Sequence, residues 1–486
     1  MVAKKLDTLR HRGLRSAAVV IFAVITYRLL MSMHNSVLEP YMDEEFHIRQ
    51  SKAYCAGNFT QWDPKLTTLP GLYFVALGLW KAVSLFVHLS DPCSIWLLRM
   101  TNYVFAVGNI FLYQKILSII HHDGAIKMTG LHVLLTSINL ATFPLLYFFT
   151  FLYYTEHVSA FLVFAMLYGH LRGNRKLAAL LGAAAVFTRQ TNVIWVGSLA
   201  LLEVFKQYKV VMKGVADDRD LRRLSADKDV QVLLAPFVSL KKNPSSTNVK
   251  RLLGYFAGVA MEGLPRVLGY IVVLLAFLVF VIVNRGIVVG DRNAHQAVLH
   301  LPQLLYFNVF TLFFASPFLL TPDKLKRFLR SCSRHRRNVM VVLVFILAAI
   351  YGFTCAHPYL LADNRHYTFY IWRNVLNRNW YARYLASPVY LCGLWALSDE
   401  LRYRGFFQTL VFLLSCLALL TPQKLLEFRY FIVPYMLFRM QMKQSTMTQL
   451  ALEFLLYQSV NALTLYLFMY KPFYWENSTE EMHFMW

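Results

Sequence analysis

Three consecutive acids, Asp43, Glu44 and Glu45, stand between two apolar runs in the stretch EPYMDEEFHIRQ, with His47 close behind. Pro40 marks the start of a short helix, on which Asp43 and His47, four residues apart, share a face. A carboxylate beside lipid is partly desolvated. Desolvation raises its pKa, and a raised pKa next to another acid or a His suits a general base. Spacing alone supports a solvated helix cap at the membrane interface equally well. The following QWDPKLTTLPGLY adds Trp62 and an Asp-Pro turn at Asp63. Trp62 serves equally as a ring for stacking on a sugar or as a belt residue at headgroup level.

Further polar constellations lie downstream. GDRNAHQAVLHLPQ (290–303) supplies Arg292, His295 and His300, and HPYLLADNRHYTFYIWRN (357–374) supplies His357, Asp363, Arg365 and His366. Planar guanidinium forks and imidazoles of this kind hold phosphate oxygens, and Asp363 is placed to orient Arg365 or His366. In LLEFRYFIVPY, Arg429 either pairs with Glu427 or meets an anionic lipid headgroup. Glu156 and His157 stand at another membrane boundary, and Arg189, in TRQTN, interrupts the apolar run 177–205. No GxGxxG, Walker, GxSxG or HExxH motif is present. The triplet DRD at 218–220 imitates a metal and nucleotide-sugar motif, but it lies in a charged stretch without flanking strands. The six cysteines have no CxxC or Cys/His spacing, so no metal centre is expected, and Cys55 and Cys93 are expected as free thiols, with pairing in an oxidising lumen as the alternative. Asn58 and Asn477 head glycosylation sequons.

The elements that must position these residues are membrane helices. Of 486 residues 57% are hydrophobic and 15% charged, too apolar for a soluble multidomain chain. The net charge of +23 is gathered between apolar runs, so it argues for cytosolic loops and against nucleic acid as partner. About 12–13 spans are expected, from 16–34 to 449–470. The first fifteen residues carry five Lys/Arg against one Asp, which places the N-terminus in the cytosol. The stretches 206–251, with eleven Lys/Arg, and 322–337, with seven, are expected there too. The polar constellations then share the opposite face. RGNRK at 172–176 conflicts with a simple count of crossings, so the break at Arg189 is either a re-entrant feature or a snorkelling charge. The chain is read as one membrane domain, 1–486, with a cytosolic insert at 206–262 whose KKNPSSTNVK end is expected to be mobile.

The blocks PYMDEEFHIRQ, WDPKLTTLPGLY, FFTFLYYTE, TRQTNVIWV, HPYLLADNRHYTFYIW and RYFIVPYMLFR resemble the dolichyl-phosphate-glucose-dependent α-1,2-glucosyltransferases of the endoplasmic reticulum, within the GT-C glycosyltransferases. The likeness runs from the first loop to the end of the sequence and leaves out the insert. It implies an all-α, polytopic GT-C fold with lumenal catalytic loops, and a first-loop acid as general base. Asp43 is the position most like that acid, with Glu44 in reserve. Glu45 replaces a residue that is often hydrophobic and Arg49 one that is usually Pro, so which acid acts stays open. The resemblance further implies an inverting transfer of glucose from dolichyl phosphate glucose to the terminal glucose of the acceptor, Glc2Man9GlcNAc2-PP-dolichol. It implies a multi-pass protein of the endoplasmic reticulum membrane that works among membrane lipids without a cofactor. Substrate contacts are then expected from His47, Trp62, Asp63, Arg189, Arg292, His357, Asp363, Arg365, His366 and Arg429, with Arg292, Arg365 and His366 on the leaving phosphate. Two alternatives remain at this stage. One is a GT-C mannosyltransferase using dolichyl phosphate mannose; the other is a transporter or non-enzymatic membrane partner, whose ionisable residues would line a path across the bilayer.

Overall fold

The structure, a computed structural model, describes residues 2–121, 128–212, 221, 224–242, 246–292, 295–443, 445–476 and 479–486. The DRD triplet, Asn477 and positions 243–245 of KKNPSSTNVK lie outside them. Among the described residues the fold is all-α, with only two isolated β-bridges, His366 to Met485 and Phe473 to Met482. Among the described residues five helices are long and apolar enough to cross a membrane: Gly13–Ser36, Ile95–Ile120, Leu252–Asn284, Arg336–Phe353 and Met447–Tyr470. Shorter apolar helices, such as Gly71–Ser84 and Pro302–Phe314, accompany them. This is a polytopic membrane architecture.

Several expected spans are broken helices. The run 128–151 divides into Gly130–Ala141 and Pro144–Phe148, and the run 177–205 into Arg175–Thr188, a 3-10 turn at Gln190–Asn192 and Val193–Val211. A break exposes backbone groups that water cannot reach in a buried place, so side chains must satisfy them. Residues 139–160 are buried throughout, and Asn102 takes over three carbonyls of the irregular part. Its amide donates to Phe149 O at 3.2 Å, Leu152 O at 2.7 Å and Tyr154 O at 2.9 Å. The same turn delivers Glu156 to the start of the helix Glu156–Leu171.

Cys55 and Cys93 form a disulfide, contrary to the expected free thiols. Spacing gave no sign of it; the helix Asp43–Cys55 ends where the chain approaches Ile95–Ile120, and that proximity makes the bond. At another part of the bundle the cationic helix Pro322–Arg334 has no buried residue and is pinned to Ser387–Leu401 by Lys324–Glu400 and Arg327–Asp399 ion pairs. The insert is largely helical, over Lys228–Lys242 and from Ser246 into the span that ends at Asn284. Asp227 and Asp229 accept the backbone N–H of Phe406 at 3.1 Å and of Phe407 at 3.3 Å, capping the helix Phe406–Leu420 from another part of the chain. Gly405, with φ +87°, makes room for this: a Cβ there would lie 2.7 Å from Asp229 Oδ2.

Candidate active site

Successive helix positions point about 100° apart, so the three opening acids, all in the first turn of Asp43–Cys55, face three environments. Glu44 is 0% exposed. Arg99 grips it with two bonds, Nε to Oε1 at 2.8 Å and Nη2 to Oε2 at 2.7 Å. Its oxygens also accept Tyr153 N at 2.7 Å and Tyr41 N at 3.2 Å. A carboxylate with every direction occupied has no place for a substrate proton. The reserve base expected from sequence therefore sits in the scaffold, where it ties the irregular 149–155 segment to the opening loop. Glu45 points outward and pairs with Arg49. Asp43 alone opens, 47% exposed, into a cavity of about 740 Å³.

Chain-distant segments bring charge to that cavity. His47, Arg189, Arg292, Asp363, Arg365, His366 and Arg429 all line it, as the sequence led us to expect, together with Glu156 and Glu427. Arg429 is the hub. Its guanidinium lies 3.1 Å from Asp43 Oδ2 and 3.8 Å from Glu156 Oε1, bonds Glu427, and faces the rings of Phe149 and Tyr154 at 5.7 and 5.5 Å. Arg189, released into extended backbone by the helix break, pairs with Glu156 at 2.8 Å. Arg429 thus has the Glu427 partner expected of it, and Arg189 is ion-paired on the same cavity wall. Arg365 and Asp363 form a two-bond pair at 2.8 Å each, and His366 Nδ1 bonds Trp486 O at 3.0 Å.

These neighbours reverse one electrostatic expectation. Burial does push the Asp43 pKa up, but the Arg429 charge, with His47 and His366 behind it, outweighs burial and holds the carboxyl below its ordinary value. Asp43 is accordingly ionised and ready to accept a proton at neutral pH. His47 is pushed down to about 4, chiefly by burial, so it is neutral there, fixed through Nδ1 to the Tyr73 hydroxyl at 2.8 Å. The sign gives a test. In Arg429→Gln burial loses its main opponent, the Asp43 pKa rises, and the acid limb of the activity profile moves to higher pH. An unmoved limb, measured with the same substrate pair, excludes this coupling.

Three expected contacts lie elsewhere. Trp62 packs against Tyr73, with ring centroids 6.1 Å apart, and does not line the cavity. Asp63 spends its carboxylate on the Lys65 backbone N–H at 3.0 Å and on Arg49 at 3.3 Å, shaping a loop. His357 is buried, and its Nδ1 accepts Tyr359 N at 3.1 Å, so the ring caps a short helix while Tyr359 reaches the cavity in its stead. Conversely, sequence reasoning passed over Lys65 and Arg285 on the cavity wall and left Glu156 unspecific. The one signal for Glu156 was an acid at a helix start after a long run without Lys, Arg, Asp or Glu.

Residues 37–440 match the model of the DIE2/ALG10 family. A relative from Rattus norvegicus, "Dol-P-Glc:Glc(2)Man(9)GlcNAc(2)-PP-Dol alpha-1,2-glucosyltransferase", is 39% identical over 488 residues, covering 97% of this chain and 98% of its own. Proteins of the same description from Homo sapiens and Arabidopsis thaliana are 38% and 32% identical, each over 97% of this chain and 98% and 99% of theirs. No solved structure matches.

Proposed function

The chain belongs to the DIE2/ALG10 family, and on that premise we propose that it transfers glucose from dolichyl phosphate glucose to the terminal glucose of Glc2Man9GlcNAc2-PP-dolichol, forming an α-1,2 bond, with Asp43 as general base. The observation that carries the residue assignment is that Asp43 is the one opening-loop carboxylate facing the cavity, ionised and held by Arg429.

The reaction is an inverting displacement. The acceptor's 2-hydroxyl oxygen attacks the anomeric carbon of the β-linked donor while its proton passes to an Asp43 oxygen. As the new C–O bond forms, the bond from the anomeric carbon to the phosphate oxygen breaks, and that electron pair leaves on dolichyl phosphate. Arg429 keeps the carboxylate oriented and charged until the proton arrives. A lowered pKa makes Asp43 a weaker base than burial alone would, so its contribution lies in position and correct protonation state.

The site is assigned to the lumen of the endoplasmic reticulum, and the N-terminus to the cytosol. Two features support this. The Cys55–Cys93 bond adjoins the catalytic helix and calls for an oxidising compartment, whereas the unpaired Cys332 sits on the cationic helix Pro322–Arg334. The chain is further proposed to be a single membrane domain, with the insert stapled to it by Asp227 and Asp229. Microsomes carrying this protein as their sole enzyme of this step, given a diglucosylated acceptor, are expected to incorporate label from dolichyl phosphate glucose. Incorporation from dolichyl phosphate mannose alone defeats the assignment.

A further inference from the structure

We propose that Lys65, Arg285 and Arg292 form the cradle for the lipid phosphate of the donor and of the leaving group; this rests on the glycosyl transfer above. The cations of the cavity fall into two sets. Arg189, Arg365 and Arg429 are each matched by a carboxylate. Lys65, Arg285 and Arg292 line the same cavity with no ion pair among the described residues. The one side-chain bond of Arg292 is to a neutral group, Asn284 Oδ1, at 2.8 Å. Two acids stand on these loops: Asp63 is paired with Arg49 at 3.3 Å, and Asp291 Oδ2 accepts the Tyr359 hydroxyl at 3.5 Å. With Asp63 matched by Arg49, three cations face the one remaining carboxylate and the loops keep an excess of positive charge. A phosphodiester donor brings one negative charge and a phosphomonoester leaving group close to two, so the cradle gains attraction as the bond breaks, the condition for accelerating the step.

The three cations sit on one built unit. Asp63 Oδ1 accepts Lys65 N and so shapes the first loop. Asn284 donates to Gly286 O at 2.8 Å and Val288 O at 3.0 Å, which shapes the second. Backbone bonds then join the two, Val289 N to Thr67 O at 3.3 Å and Asp291 N to Pro64 O at 3.0 Å. At the junction is Gly290, where a Cβ would come within 2.4 Å of Pro64 O and 2.5 Å of Leu66 O. Any side chain there forces the two loops to shift apart. The unit follows directly on the span Leu252–Asn284, only 11% of whose apolar window is buried in protein. A phosphate whose chain lies along that helix meets Arg285 first.

The test uses the full-length protein in lipid nanodiscs. Arg285→Gln and Arg292→Gln are each expected to raise the donor KM and the inhibition constant of dolichyl phosphate about tenfold, and together about 100-fold, with the acceptor KM unchanged. Gly290→Ala should weaken dolichyl phosphate binding with every cation in place. Direct binding of dolichyl phosphate to the Asp43→Asn protein, with and without the two arginine substitutions, needs no turnover. It therefore separates the cradle from the reaction: wild-type protein without transfer overturns the reaction, whereas unchanged binding in the arginine double variant overturns the cradle. A raised acceptor KM with donor values unchanged would move these cations to the acceptor's diphosphate. Loss of donor binding confined to Arg365→Gln would likewise overturn the assignment.

Discussion

Asp43→Asn is expected to lower glucosyl transfer by about 10²–10⁴-fold while leaving the amount of folded protein and the binding of dolichyl phosphate unchanged. The amide keeps the shape of the side chain and an oxygen for Arg429, 3.1 Å away in the wild type, so the cavity retains its form. What it loses is proton affinity. A 2-hydroxyl has almost no nucleophilic anion at neutral pH, so its proton must move during attack, and no other opening-loop carboxylate faces the cavity to take it. Turnover within a few fold of wild type removes Asp43 as base. Glu156, which shares Arg429, then becomes the group to test.

Glu44→Ala is expected to fail for a different reason: loss of about 3–5 kcal/mol of stability, read as depleted folded protein in the membrane fraction. Arg99 is 1% exposed and would keep its charge with no carboxylate to match it. The N–H of Tyr153, which Glu44 satisfies at 2.7 Å, would be orphaned as well. A double variant, Glu44→Ala with Arg99→Met, should regain folded protein, because it removes the buried charge together with its partner. A stable, abundant Glu44→Ala protein lacking turnover would give Glu44 the catalytic role and overturn the division between the two acids.

Sequence and structure differ most instructively at the pKa of Asp43. Burial beside lipid was legible, and it does act upward; the counter-charge that wins comes from Arg429, 386 residues away along the chain. Arg429 itself was read beside Glu427, a local pair that exists, but its other two partners, Asp43 and Glu156, come from distant segments. Trp62 and His357 lie outside the cavity lining for the same cause. Residue type announced what each could do, while packing against Tyr73 and capping at Tyr359 decided what each does.

By itself the sequence determined the class of molecule: apolar runs long enough to span a bilayer, charge gathered between them, and an acidic opening loop joined by distant Arg- and His-bearing loops. These follow from composition and one-dimensional pattern, because the transfer of a segment into lipid depends on its own residues. Tertiary structure alone decided which of three adjacent acids meets the cavity, that Cys55 and Cys93 join, and which cations remain unmatched. Each is a matter of partners. A charge or a thiol takes its chemistry from atoms within about 4 Å, where Coulomb and hydrogen-bond energies are large, and those atoms belong to segments whose proximity no local pattern records.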